Sequence, residues 1–146
     1  MTLIERLKAA ITQFDFDVID AEADAIEKDA NIQAFTETVM DDLRRHLKTY
    51  ALADERVTID ERGKTFYIYF QGERLFHVSV ARRSTQNFDH LCIITDGEVV
   101  LTYKGEDDYA RLKYDISEPM KTVKHGILLT FESALNQLAE RKASQF

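Results

Sequence analysis

A chain of 146 residues with 45% apolar residues, one proline, five glycines and one cysteine is sized for a single α+β domain over 1–146, and it excludes collagen-like, disordered and disulfide-stapled classes. A net charge of −7 at pH 7 opposes nucleic-acid phosphate at long range, so a nucleic-acid partner is not expected. The acidity is local: residues 1–55 hold 13 acids and 6 bases, whereas residues 56–146 hold 13 of each.

The chain opens with Thr2-Leu3-Ile4-Glu5, a capping box in which Thr2 caps the helix and Glu5 reaches back. Leu3, Leu7, Ile11 and Phe14 then recur at helical spacing and predict a helix over 3–14. Asp15 to Asp17 reads as a turn, with Asp17 able to cap a second helix. A thin stripe (Ile19, Ala23, Ile26, Ala30) strengthens after Asn31 into Ile32, Phe35, Val39, Leu43, Leu47 and Tyr50, so that either Asn31 breaks the helix or one long helix runs to about residue 51. There is no basic stretch followed by an apolar run at the start, and no window of 18 uncharged apolar residues. The expectation is a cytoplasmic protein with no membrane contact.

The period then changes to two. Strands are expected at about 56–61, 64–71, 75–82, 89–95 and 98–104, with a sixth at 109–116. Every connection is short, so the sheet should be an antiparallel meander of five or six strands. Arg62-Gly63 is read as a two-residue turn, setting Ile59 against Phe66. A three-residue loop, Gly72-Glu73-Arg74, sets Ile68 against Val78 and keeps apolar residues on one face. Asp96-Gly97 is the strongest hairpin signal and sets Ile94 against Val99 and Cys92 against Leu101. Val57, Ile59, Phe66, Ile68, Phe70, Phe76, Val78 and Val80 then share a face that the N-terminal helices and a C-terminal helix must cover. A C-terminal helix starts near Ser117-Glu118-Pro119, is interrupted or ended at Gly126, and is followed by the helical stripe Leu128, Phe131, Leu135 and Leu138 to about residue 142.

The opposite sheet face presents Thr58, Tyr67, Tyr69, His77 and Ser79, with Tyr69 across from His77, and Arg111 and Lys113 further along. Tyrosines pair a large contact area with a hydrogen-bonding tip, which suits a planar ligand or a peptide, although tyrosine also favours strands for packing alone. His77 could act as a general base, but no nucleophile or carboxylate can be named for it, and Ser79 on the same strand lacks an oxyanion hole. Arg82 and Arg83 open a polar loop with Ser84, Thr85, Gln86 and Asn87, where two neighbouring guanidiniums could grip a phosphate or carboxylate. Asp42 and His46 stand four apart on a helix, a spacing that can share a metal, but two ligands are too few and the wider HExxH pattern is absent, so they read as a surface pair. Residues 14–20 match a calcium loop only in acid density. Cys92 alternates within an apolar strand and reads as a small core residue. No glycine-rich phosphate loop and no zinc spacing occurs, so no cofactor is expected.

These observations favour a non-enzymatic protein-binding or regulatory domain whose partner is another protein. It would use the acidic N-terminal helices, or a surface made of Tyr67, Tyr69, His77, Ser79, Arg82 and Arg83, or both. The alternative is a small-molecule-binding domain or enzyme with a pocket between sheet and helices. A homodimer is a further expectation, because the helical stripes are longer than one sheet can cover.

Overall fold

The computed structural model describes residues 2–84, 89–104 and 115–144. The elements run α1 (Leu3–Ala53), β1 (Val57–Arg62), β2 (Thr65–Phe70), β3 (Glu73–Ser84), β4 (Asp89–Thr95), β5 (Glu98–Lys104) and α2 (Ser117–Ala143). The five strands form one antiparallel sheet in sequence order, the α+β meander expected from the pattern. The expected sixth strand falls mostly on residues 109–114, outside the described residues. By contact density the chain divides into two compact units, Met1–Ala34 and Phe35–Phe146.

The N-terminal capping box forms as expected. The Thr2 N–H donates to Glu5 Oε2 at 3.2 Å, and the Glu5 N–H donates to Thr2 Oγ1 at 3.2 Å. The turn expected at Asp15 to Asp17 is absent, because α1 is a single 51-residue helix. Neither proline nor glycine occurs between residues 2 and 53, and the aspartates of 15–20 accept helical geometry when nothing forces a break. Asn31 likewise continues the helix.

Within the second unit, Phe35, Val39, Leu43 and Leu47 are buried. This part of α1 reaches the sheet through Phe35, whose ring meets Tyr103 edge-on at 4.9 Å. Arg44 adds a bidentate pair to Glu61 on β1, with Nε to Oε1 at 2.6 Å and Nη2 to Oε2 at 2.9 Å. These hydrogen bonds hold the Glu61 carboxyl below its usual range. It reaches α2 through Tyr50 and Phe131, edge-on at 5.2 Å, and through Asp42 Oδ2 and Lys124 Nζ at 3.3 Å.

The sheet face assignment holds, while the hairpin details differ. Turn β1–β2 sits at Gly63-Lys64, one residue later than expected, so Ile59 meets Ile68 rather than Phe66. That two-residue displacement of the ladder leaves every side chain on its face. Turn β2–β3 is not the three-residue loop but the pair Gln71-Gly72, both at positive φ (50° and 81°) as a tight I′-type turn requires. Taken alone, that turn would set Ile68 against Leu75. A bulge between Ile68 and Tyr69 corrects the phase and brings Ile68 opposite Phe76. Turn β4–β5 is Asp96-Gly97 with Ile94 opposite Val99, as expected, but a bulge moves Cys92 from Leu101 to Thr102.

The result buries Val57, Phe66, Ile68, Phe76, Val78, Val80, Leu91, Ile93 and Tyr103. α2 lies against β3, β4 and β5 and buries Met120, Val123, Ile127 and Leu138. The expected stripe is therefore shifted: Leu128 is exposed and Ile127 faces inward. Gly126 does not interrupt the helix. A Cβ at that position would lie 3.1 Å from Val100 Cγ1, so the glycine permits close approach of α2 to β5. Asp115 takes the N–H and hydroxyl of Ser117 at 2.9 Å and 2.5 Å where α2 begins, and these bonds lower its pKa.

Candidate functional site

Two surfaces carry the candidate residues. The first is the sheet face opposite the core. β2 supplies Tyr67 and Tyr69, β3 supplies His77 and Ser79, and alternation turns all four the same way. All four are half-buried. The bulge changes their pairing, so Tyr67 rather than Tyr69 lies opposite His77, with ring centroids 6.0 Å apart, and Tyr69 pairs with Arg74. The Arg74 guanidinium stands 5.2 Å from the centre of the Tyr67 ring, within cation–π range.

His77 has a carboxylate neighbour that sequence reasoning missed. Asp96 Oδ1 lies 3.3 Å from His77 Nδ1, and the Asp96 backbone N–H donates to the His77 carbonyl at 3.2 Å. The signal was present in the Asp96-Gly97 turn, because β4 pairs Thr95 with Val78 and so delivers the next residue to His77. A carboxylate so placed can orient an imidazole. The hydroxyl on the same strand is not part of it, since Ser79 Oγ is 3.2 Å from Thr65 Oγ1 across the hairpin.

The arginine loop needs correction. β3 continues to Ser84, so Arg82 and Arg83 are strand residues opposite Leu91 and His90. Consecutive strand residues point to opposite faces, and the two guanidiniums cannot close on one anion. Only Arg83 shares the face of Tyr67 and His77. Thr85, Gln86 and Asn87, like Arg111 and Lys113, lie outside the described residues.

Asp42 and His46 are not a surface pair. The Asp42 side chain is 16% exposed and binds Lys124, while His46 Nε2 is 3.2 Å from the Tyr50 hydroxyl. Burial, with Lys124 nearby, lowers the His46 pKa, and burial raises that of Tyr50. Among the described residues, no three His, Cys, Asp or Glu side chains gather as metal ligands would. The described helices include none long and apolar enough to cross a membrane. Cys92 is buried as a free thiol 3.7 Å from Thr102 Oγ1.

The second surface lies on the first unit. Residues 14–20, the acid-dense stretch, are helical. Eight large apolar side chains between Leu3 and Ile19 are exposed, among them Leu3 at 72%, Ile11 at 61% and Phe14 at 66%. Acids punctuate the same segment at Glu5, Asp15 and Asp17 and follow it at Asp20 and Glu22. The periodicity was legible in the sequence, whereas its exposure was not. No protein-family model, curated protein or solved structure matches the chain.

Proposed function

We propose that the protein is a non-enzymatic protein-binding domain that docks through the N-terminal part of α1. One observation carries the reading: Leu3, Ile4, Leu7, Ile11, Phe14 and Val18 stand exposed on a helix that buries its other apolar stripe, Phe35 to Leu47, in the described fold. Helices in proteins draw most of their stability from packing an amphipathic face, and exposed apolar patches of this kind mark interaction sites. The acidic residues around the stripe add attraction for basic groups on a partner. A free buried thiol accords with a reducing compartment such as the cytoplasm.

The test is capture from lysate on the immobilised full chain, at low and physiological salt, since screening weakens the charged part of such a contact. The wild type should retain a binding protein, or itself, and Leu7→Asp/Ile11→Asp should lose it. Equal capture by both chains would exclude the stripe.

A second reading rests on an open cleft of about 820 Å³ where the end of α2 meets β3, lined by Arg74, His77, Asp96, Glu140 and Arg141. Charges of both signs around an imidazole suit a small zwitterionic ligand. Thermal-shift screening against such metabolites tests it, because saturation at a hundred times the dissociation constant adds about 2.7 kcal/mol. A flat response across the set removes this reading.

A further inference from the structure

We infer that the exposed stripe of α1 pairs with a second copy of this chain, antiparallel, in one register. The inference rests on the docking reading above and names its partner. Ile4, Leu7, Ile11, Phe14, Val18 and Ala21 follow alternating steps of three and four, the spacing of a two-helix seam. Each of these residues is exposed. Lys8, Asp15 and Glu22 flank the seam on one side, and Leu3, Ala10 and Asp17 flank it on the other. Phe16 and Ile19 lie off it.

Charge selects the geometry. In a parallel, in-register pair, flanking residues meet across the seam five positions apart. Asp17 would then face the partner's Glu22, and Lys8 and Asp15 would face only the partner's Leu3 and Ala10. That arrangement has a repulsion and no attraction. Antiparallel pairing brings like flanks together. With Ile11 against the partner's Phe14, Leu7 meets the partner's Val18 and Ile4 meets the partner's Ala21, so each layer joins a larger side chain to a smaller one. Lys8 then lies beside the partner's Asp15, and the two-fold axis makes that pair twice. Sliding by one heptad, to Ile11 against the partner's Leu7, sets Lys8 against the partner's Lys8 and shortens the seam. Sliding the other way, to Ile11 against the partner's Ala21, sets Asp15 against the partner's Asp15 and Asp17 against the partner's Asp17, so the first register is the self-complementary one.

The experiment is sedimentation equilibrium on the full chain, with circular dichroism to confirm that each variant is folded. The wild type should sediment as a dimer, and Leu7→Asp/Ile11→Asp as a monomer. Lys8→Glu and Asp15→Lys should each weaken the dimer about tenfold, since each converts two attractive pairs into repulsive ones, and the double variant K8E/D15K should restore it. Direction is read by disulfide trapping: Leu7→Cys mixed with Val18→Cys should cross-link, and neither should cross-link alone. Cross-linking of Leu7→Cys to itself would overturn the antiparallel register, as would a double charge swap that does not recover. A wild type that stays monomeric at its highest soluble concentration overturns self-pairing altogether. In that case, stripe-dependent capture from lysate leaves the docking reading standing, and its absence removes that as well.

Discussion

The two ends of α1 each carry an apolar stripe at helical spacing and differ in what the stripe meets. Phe35, Val39, Leu43 and Leu47 are at most 5% exposed, whereas Leu7, Ile11 and Phe14 are each more than half exposed. An apolar stripe at helical spacing thus specifies a core in one stretch and a bare surface in the other. Periodicity identifies the face of a helix that wants to leave water. It does not say what covers that face.

The largest expected effect tests the buried end. Leu43→Ala should cost about 2–5 kcal/mol in urea denaturation, because the side chain is fully enclosed and its loss leaves a cavity. A smaller cost, near that of a surface change, would break the contrast. Gly126→Val should cost about 1–3 kcal/mol, since added methyls meet Val100 where α2 approaches β5. A neutral result there would show that the two elements can move apart freely.

A pH series sharpens the same contrast through His46, half-buried in the packed region of α1. Its folded pKa lies below the ordinary 6.5, chiefly through burial, so the unfolded chain binds the proton more readily. Stability from this group is therefore full above 6.5 and falls as pH drops toward the lowered folded value. His46→Gln should flatten that part of the pH–stability profile measured by denaturant midpoint. An unchanged slope would assign the acid sensitivity to other groups. The smallest effect belongs to the exposed end. Leu7→Ala should alter unfolding by no more than about 0.5 kcal/mol at concentrations where the chain is monomeric. A loss equal to that of Leu43→Ala would mean that Leu7 is packed within one chain.

Much of the sheet was legible because alternation carries its own check. Tyr67, Tyr69, His77 and Ser79 share a face whichever of the even registers is chosen, and of the residues expected opposite, Val57, Phe66, Ile68, Phe76, Val78 and Val80 are buried while Ile59 and Phe70 stay half-buried. The ladder partners were not legible. A one-residue bulge after Ile68 lets a tight Gln71-Gly72 turn coexist with apolar pairing, and no local signal in the sequence announces it. Arg82 and Arg83 read as a loop because they are polar, yet β4 supplies backbone partners that extend β3 past them. The Asp96 carboxylate beside His77 is contributed by a turn almost twenty residues downstream in the chain, a proximity that only strand pairing creates.

The amino-acid order alone determined the element types, the capped start of α1, the Asp96-Gly97 turn and the sorting of side chains onto two sheet faces. These follow from local sterics and from the period of the apolar pattern. Tertiary structure decided that Gly126 serves close packing, which bulges set the ladder, and that the repeat from Ile4 to Val18 stays uncovered within the described residues. Each of these depends on what lies across from a residue, and the competition for that position is settled only when distant segments meet.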